Sequence, residues 1–472
     1  MKKNILVLLL LASFFSCASK NSPLNIKINA EGNANNGSAN GTIKEVMLCP
    51  APTAFQDVGR MMKSPGYWIS KLQNPDKVIL TLQEIEAINA RNNGRSIYIT
   101  DVQYFASKYF RRNALSSHSK MVNMFSKYYD GHSNKPVGKD YFAEMEKNIN
   151  YSLFTSTVNV RFGMTVKYSE LRALPSNEPL FSSLETLDLD RMQITQLDLA
   201  SPLAILYMTK DKEWYYVIAE IAEGWLHKDS IAFCQQYAIK DYKKWDRFAV
   251  AISPKADIYT NQAMTDFFDY VMMGTALPIA GVQGDVAEIR IPRMKSDKTL
   301  SFQKAYINLS DISVGYMKYT QRNVLQQAFK HLNSPYGWGG MNGEQDCSSF
   351  IRQIFACFGI KLPRNSTGQI QSGIFAGSFE KDEPEHLRAQ KIIKNGIPGI
   401  TLLYFPGHIM LYAGNEGPTP YIIHSIWGYG EETEKESKTY LINRVAITSM
   451  KIGDASEKGS LLKRTTLMKI LK

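Results

Sequence analysis

Between residues 150 and 312 the chain is written in short apolar and β-branched runs separated by turn residues, and this texture restricts its fold more than any other feature. Trp214-Tyr-Tyr-Val-Ile-Ala-Glu220 and Gly224-Trp225-Leu226 read as two strands around a loop, with turn signals at 159–161, 175–177, 201–202 and 211–213. The runs beginning at Ala249, Leu277 and Ala287 repeat the pattern. Strands this short, at this spacing, close into small β-barrels, so two are expected, over 150–235 and 236–315. The flanks are helical in pattern. Thr81-Leu-Gln-Glu84 fits a capping box, and Ile85 and Ile88 continue the stripe within a helical region over 44–149. Val324, Leu325, Ala328, Phe329 and Leu332 open a last segment, 316–472, that runs helix, helix, then strands. The expected class is multidomain α+β.

The N-terminus addresses the compartment. Lys2 and Lys3 precede an apolar run, Ile5 to Leu11, too short to cross a bilayer. Phe14-Phe15-Ser16-Cys17 then resembles a bacterial lipobox, with Phe14 where Leu is usual. Residues 1–17 are therefore expected to be a lipoprotein signal and Cys17 the lipidated mature N-terminus, on the periplasmic side of a bacterial envelope. An ordinary secretory signal is the alternative. Residues 18–43, rich in Asn, Ser, Gly and Ala, read as a flexible tether. The net charge of +11 is scattered, without a basic run, which argues against a nucleic-acid partner. The other four cysteines are far apart and show no zinc spacing, so neither a metal nor another cofactor is expected.

The last third carries the chemistry. Tyr336-Gly-Trp338-Gly-Gly340 is a loop suited to close backbone approach, and Asp346-Cys347-Ser348-Ser349-Phe350 follows it. Asp346 stands where a helix N-cap belongs, with Cys347 on the first turn, where the helix dipole favours a thiolate. Cys357, on the apolar face of the same helix, is assigned to packing. His408 and His424 lie in two strand-like runs. If these form a hairpin with Tyr412 opposite Ile422, the period of two puts both imidazoles on one face. One could then take the thiol proton while the other orients it, as in a catalytic triad. Half of a metal site is the competing reading for the two histidines.

Taken together, Tyr-x-Trp-Gly-Gly, Asp-Cys-Ser-Ser-Phe, the 359–369 run, Gly-His-Ile-x-x-Tyr-x-Gly and Ile-His-Ser resemble the NlpC-type papain-like cysteine peptidases of bacterial cell walls. Upstream, Leu171-Arg-Ala-Leu-Pro175, Glu213-Trp-Tyr-Tyr-Val217 and Gly224-Trp225-Leu226 look like the first of two SH3-like barrels found beside such domains. The resemblance implies a papain-like fold for 316–472, with Cys347 as nucleophile, His408 as base and His424 as its orienter. It implies hydrolysis of the γ-D-Glu–meso-diaminopimelate bond in peptidoglycan stem peptides or muropeptides bearing a free N-terminal L-Ala. Asp346 and Ser348 would receive the amine, with Tyr336, Trp338 and Ser366 lining the site. Ser349 departs from the commoner Gly, and Asn365 from the Asp often found there. A monomer held to the membrane by its lipid is expected. Two rivals stay open: a non-catalytic wall-binding lipoprotein, and a papain-like amidase or acyltransferase on another amide or a lipid.

Overall fold

The computed structural model describes residues 49–50 and 55–472, apart from 96–98, 111–121, 433–436 and the single positions 126, 132, 134, 151, 153, 155, 184 and 185. Cys17 and the 18–43 tether lie outside the described residues.

The expected capping box opens helix α1 (Leu82–Arg95). The Thr81 amide donates to Glu84 Oε2 at 2.7 Å, and the Glu84 amide donates back to Thr81 Oγ1 at 3.3 Å. Helix α2 (Lys139–Asn148) lies further along this region, which also holds a short helix, Pro65–Ile69. The N-terminal segment is fastened to the C-terminal domain through Trp68, which is 1% exposed. Its ring packs at 5.4 Å from that of Tyr421, and its indole N–H is satisfied by the Met62 carbonyl at 2.8 Å.

Seven strands form the first barrel sheet: β1 (Arg161–Thr165), β2 (Ser169–Arg172), β3 (Gln193–Leu197), β4 (Pro202–Met208), β5 (Trp214–Ile218), β6 (Glu223–His227) and β7 (Ile231–Cys234). Their order is β7-β1-β4-β5-β6-β2-β3. Along β5 the side chains alternate. Trp214, Tyr216 and Ile218 join one apolar cluster and Tyr215 and Val217 the other, so this strand is covered on both faces. Helix α3 (Gln236–Lys243) then leads to a second seven-stranded sheet, β8 (Phe248–Ala251), β9 (Lys255–Tyr259), β10 (Phe267–Met272), β11 (Ala276–Gln283), β12 (Val286–Met294), β13 (Leu300–Asn308) and β14 (Ile312–Val314), in the order β10-β9-β13-β12-β11-β8-β14. Its core is small and branched: Ala256, Ile258, Val271, Ile289 and Ile307.

The C-terminal domain packs α4 (Gln321–Lys330) and α5 (Cys347–Ala356) on one face of a third sheet and α6 (Glu385–Asn395) on the other. Its strands are β15 (Ile374–Ser378), β16 (Thr401–Phe405), β17 (His408–Glu416), β18 (Thr419–Glu432), β19 (Ser437–Ser449) and β20 (Leu467–Ile470), with Cys49–Pro50 pairing in parallel at the β19 edge. The order from that edge is β19-β18-β17-β16-β20-β15. Leu402, Leu411, Ile423 and Val445 meet Phe350, Ile354 and Phe355, whereas Leu403, Met410 and Ile422 meet Ala389 and Ile392. A sheet covered on both faces reads as continuous apolar runs, which is why 401–413 is apolar almost throughout. The whole is the multidomain α+β arrangement that the pattern of runs predicts.

Candidate active site

Cys347 is placed by a helix start and a strand pair. Asp346 caps α5, its Oδ1 accepting from the Ser349 amide at 2.8 Å, so Cys347 falls on the first turn and is 8% exposed. The β17–β18 hairpin pairs Tyr412 with Ile422 and Leu411 with Ile423, the register expected from the sequence, and it sets the two histidines on one face. His408 Nε2 lies 2.8 Å from His424 Nδ1, and His424 Nε2 lies 3.0 Å from Thr448 Oγ1 on β19. These two contacts couple the tautomers of the rings. If His408 Nε2–H donates to His424 Nδ1, then His424 Nε2–H donates to the threonine hydroxyl, and His408 Nδ1 is left with a lone pair for the thiol. The thiol sits against the backbone amide of Ile409, the neighbour of His408.

The protonation states differ from the sequence expectation. Burial, and then the Asp346 carboxylate, push the Cys347 thiol up to about 12, against the pull of the Ile409 and Ser348 amides and of Arg364. Burial, and then Arg464, press His408 down to about 3, while burial and the His408 ring hold His424 well below its ordinary value. The helix dipole does favour a thiolate, but desolvation at an enclosed first turn outweighs it. The resting pair is therefore a neutral thiol beside a neutral imidazole, which suits a base that acts during attack rather than a preformed ion pair.

Asp346 is the most heavily engaged group in the site. Its Oδ2 accepts from Arg364 Nη2 at 2.6 Å and from the Gly339 amide at 3.2 Å. Its Oδ1 accepts from Arg364 Nη1 at 3.1 Å and Ser348 Oγ at 3.0 Å, besides the Ser349 amide. Burial pushes the carboxyl up, but Arg364 and these donors outweigh it and hold it below the usual carboxylate range. Five donors fill the roughly four lone-pair positions of a carboxylate. Ser348 is likewise engaged, since its hydroxyl also accepts from Arg364 Nη1 at 2.9 Å.

Arg364 ties this cluster to the first barrel, because its Nε donates to Thr195 Oγ1 on β3 at 2.6 Å. The Trp338 loop docks on the same strand. Gln193 Nε2 donates to the Gly339 carbonyl at 3.3 Å, and a Cβ built on Gly339, whose φ is 60°, would lie 2.7 Å from Gln193 Cγ. Only glycine meets both conditions there. Further along, Glu220 in the β5–β6 turn pairs with Lys361, with Lys243 Nζ at 3.9 Å. Burial raises the Glu220 carboxyl, but the two lysines outweigh it and hold it at about 2.

The space these elements enclose is a cleft of about 580 Å³. Tyr336, Trp338, Cys347, Ser348, Arg364 and Ser366 line it from the C-terminal domain, and residues 218–223 line it from the barrel. Ser366 opens a helical turn, Ser366–Gln369, capped by Asn365 Oδ1, which accepts from the Gly368 amide at 2.7 Å. Arg191 of the barrel stacks on the Trp338 ring at 4.1 Å. Burial, and then Cys347, hold the Tyr336 phenol well above its ordinary value, so it stays a donor. Cys347, His408, His424, Asp346, Ser348, Tyr336, Trp338 and Ser366 all belong to this one region. Sequence reasoning did not pick out Arg364, Thr195 or Thr448, although Arg364 stands inside the 359–369 run that it did quote.

Comparison with known proteins agrees with the geometry. Residues 333–444 match the NlpC/P60 family, and residues 179–227 match an SH3 domain of the SH3b1 type. A gamma-D-glutamyl-L-lysine dipeptidyl-peptidase of Bacillus subtilis is 34% identical over 74 residues, 15% of this chain and 25% of that protein. A protein of the same name from Bacillus cereus is 24% identical over 179 residues, 36% of this chain and 48% of that one. The chain thus spans a quarter to about half the length of these relatives. A solved NlpC/P60 endopeptidase from Photobacterium damselae subsp. piscicida superposes with a TM-score of 0.71 at 21% identity, covering 86% of this chain and 96% of that one, a likeness of fold. The chain carries an NlpC/P60-family domain, preceded by an SH3 domain of the SH3b1 type.

Proposed function

We propose that the chain is a cysteine peptidase of peptidoglycan, hydrolysing the γ-D-Glu–meso-diaminopimelate bond of stem peptides with a free N-terminal L-Ala. The observation that carries this reading is the Thr448–His424–His408 series together with the Cys347 thiol, which sits against the amide of Ile409, the neighbour of His408, in a cleft walled on one side by the first barrel. In the proposed reaction His408 Nδ1 takes the thiol proton as sulfur attacks the γ-carbonyl carbon. The Tyr336 hydroxyl donates to the oxygen as it gains charge. The C–N bond breaks, the proton passes from His408 to the leaving amine, and a thioester remains. Water, deprotonated by the same nitrogen, then releases the γ-glutamyl acid and the thiol.

The barrel wall supports selection of a short free N-terminus. An ammonium buried there needs a compensating charge. Asp346 already shares its charge with Arg364, so the reading assigns a second carboxylate to the task, Glu223, which lines the barrel side of the cleft. Residues 44–149, 150–235 and 236–315 serve in this reading as a stabilising region and two barrels around the 316–472 catalytic domain. Cys17 would hold the protein to the membrane, which labelling with radioactive palmitate tests: a Cys17→Ala variant that incorporates as much label as wild type contradicts the anchor.

The reaction is tested with L-Ala-γ-D-Glu-meso-diaminopimelate. Wild type should release L-Ala-γ-D-Glu, and Cys347→Ala, folded by circular dichroism, should release none. Equal turnover by the two overturns the mechanism, and equal rates on free and N-acetylated substrate overturn the closed-cleft selection. Among the names of the similar proteins, those acting on γ-D-glutamyl-L-lysine make the lysine peptide the natural second substrate to assay.

A further inference from the structure

A second cavity, of about 380 Å³, lies on the other side of the barrel turn that lines the cleft. Residues 219–221 wall both spaces, and both barrels and the C-terminal domain contribute to the second. The α5 helix connects them. Cys347 opens it, and Arg352, five residues on, is turned about 140° around the helix axis. Arg352 lines the second cavity.

Its guanidinium is anomalous. Nε is fully enclosed without a hydrogen-bond partner, and among the described residues Arg352 forms no ion pair and no side-chain hydrogen bond. A donor nitrogen taken out of water ordinarily finds a hydrogen-bond partner, because leaving it unpaired is costly. The acids in the same cavity are otherwise engaged. Asp198 accepts from the Met272 amide at 3.1 Å, and Glu220 serves Lys361 and Lys243. Burial raises the Asp198 carboxyl against the pull of Arg352, and burial lowers Arg352 against the pull of Asp198, so the two charges attract without forming a hydrogen bond. The walls of the cavity are largely apolar, with Trp245, Tyr316, Leu277 and Leu362 among them.

We propose that this cavity is a binding site for a small carboxylate-bearing ligand with an apolar body, such as an N-acylated amino acid, held through Arg352. A planar guanidinium with free donors matches a carboxylate two bonds at a time. The aromatic and aliphatic walls suit an apolar body better than they suit phosphate. A volume of this order holds a ligand of that size. The proposal stands apart from the peptidase reading, since it uses none of the catalytic groups.

The test is titration calorimetry on full chain with Cys347 capped by iodoacetamide, which keeps the cleft inert. The probes are N-acetyl-D-alanine, its carboxamide and inorganic phosphate. The acetyl group denies the probe to any amine site. Binding of the carboxylate to one site with Kd of about 1 mM or tighter is expected, with the carboxamide and phosphate at least about tenfold weaker. Arg352→Met should weaken the carboxylate by about tenfold or more and leave the carboxamide unchanged. Carboxylate affinity equal to that of the carboxamide overturns the proposal, as do stronger binding of phosphate, undiminished binding by folded Arg352→Met, and no detectable binding. Should Arg352→Met fail to fold, indole fluorescence decides: the carboxylate should change wild-type emission, and Trp245→Phe should abolish that change. A change that survives Trp245→Phe places the ligand elsewhere and overturns the assignment.

Discussion

Replacing Arg364 by Met asks how far the first barrel and the nucleophile depend on one side chain. Arg364 is 7% exposed, and its guanidinium meets three residues: both oxygens of Asp346, the Ser348 hydroxyl at 2.9 Å and the Thr195 hydroxyl at 2.6 Å. Removing one member of a buried pair typically costs about 3–5 kcal/mol, chiefly because the other charge is left uncompensated. Asp346 would keep the Ser349 and Gly339 amides and the Ser348 hydroxyl, so the lower end, about 3 kcal/mol, is expected. The sign with pH follows from the depressed carboxyl of Asp346. Its stabilisation in wild type is present above the unfolded carboxylate pKa and is lost as pH falls through the lower folded value. In the variant, burial is opposed only by the Ser349 and Gly339 amides and the Ser348 hydroxyl, so much of that stabilisation near neutral pH is lost. Urea unfolding followed by tryptophan emission reads the loss as a lower midpoint, with Asp346→Asn and the double variant completing a cycle. The double variant should regain about 2 kcal/mol relative to additivity. Additive losses would show that the two groups do not act as a pair and would refute the reasoning.

Three further outcomes follow from the same geometry. Thr448→Val removes the acceptor from His424 Nε2–H, leaving a buried donor unsatisfied at a cost of about 1–3 kcal/mol. If that falls on the transition state, kcat/KM drops by roughly 10- to 100-fold with KM little changed, and a variant as active as wild type removes Thr448 from the series. Because the thiol is pushed up to about 12, its alkylation by iodoacetamide should rise about tenfold per pH unit from 7 to 10 without levelling. A plateau by pH 8 would establish a preformed thiolate instead. Gly339→Ala forces a side chain into Gln193 at a positive φ, and should lower stability by about 2 kcal/mol or more together with activity. An unchanged unfolding midpoint would mean that the loop and barrel are not in firm contact.

The legible parts of this protein were those set by local rules. An Asp four residues before an apolar face announces an N-cap, and two histidines sixteen residues apart across a turn share a face once an even register is assumed. The barrels were legible because short alternating runs have few other ways to close. The remainder depends on burial and on distant pairings. Arg364 in Pro-Arg-Asn reads as an ordinary loop residue, and its partners stand 18 and 169 positions away. Thr195 and Thr448 are two hydroxyls among many strand threonines. The thiol pKa could not be read from Cys347 at a helix start, because the dipole is local and visible whereas desolvation arises from the burial that distant segments impose. Arg352 was not singled out in the sequence, and its place in the second cavity depends on the packing of both barrels against the C-terminal domain.

The central claim is that Cys347, relayed through His408 and His424, cleaves a stem peptide at the γ-D-Glu carbonyl with its free N-terminus at the barrel end of the cleft. Mass spectrometry of L-Ala-γ-D-Glu-meso-diaminopimelate incubated in ¹⁸O-water tests it most directly. The account predicts L-Ala-γ-D-Glu carrying the heavy oxygen on its γ-carboxylate, from wild type and not from Cys347→Ala. Label in any other product, or cleavage that persists without the thiol, contradicts it.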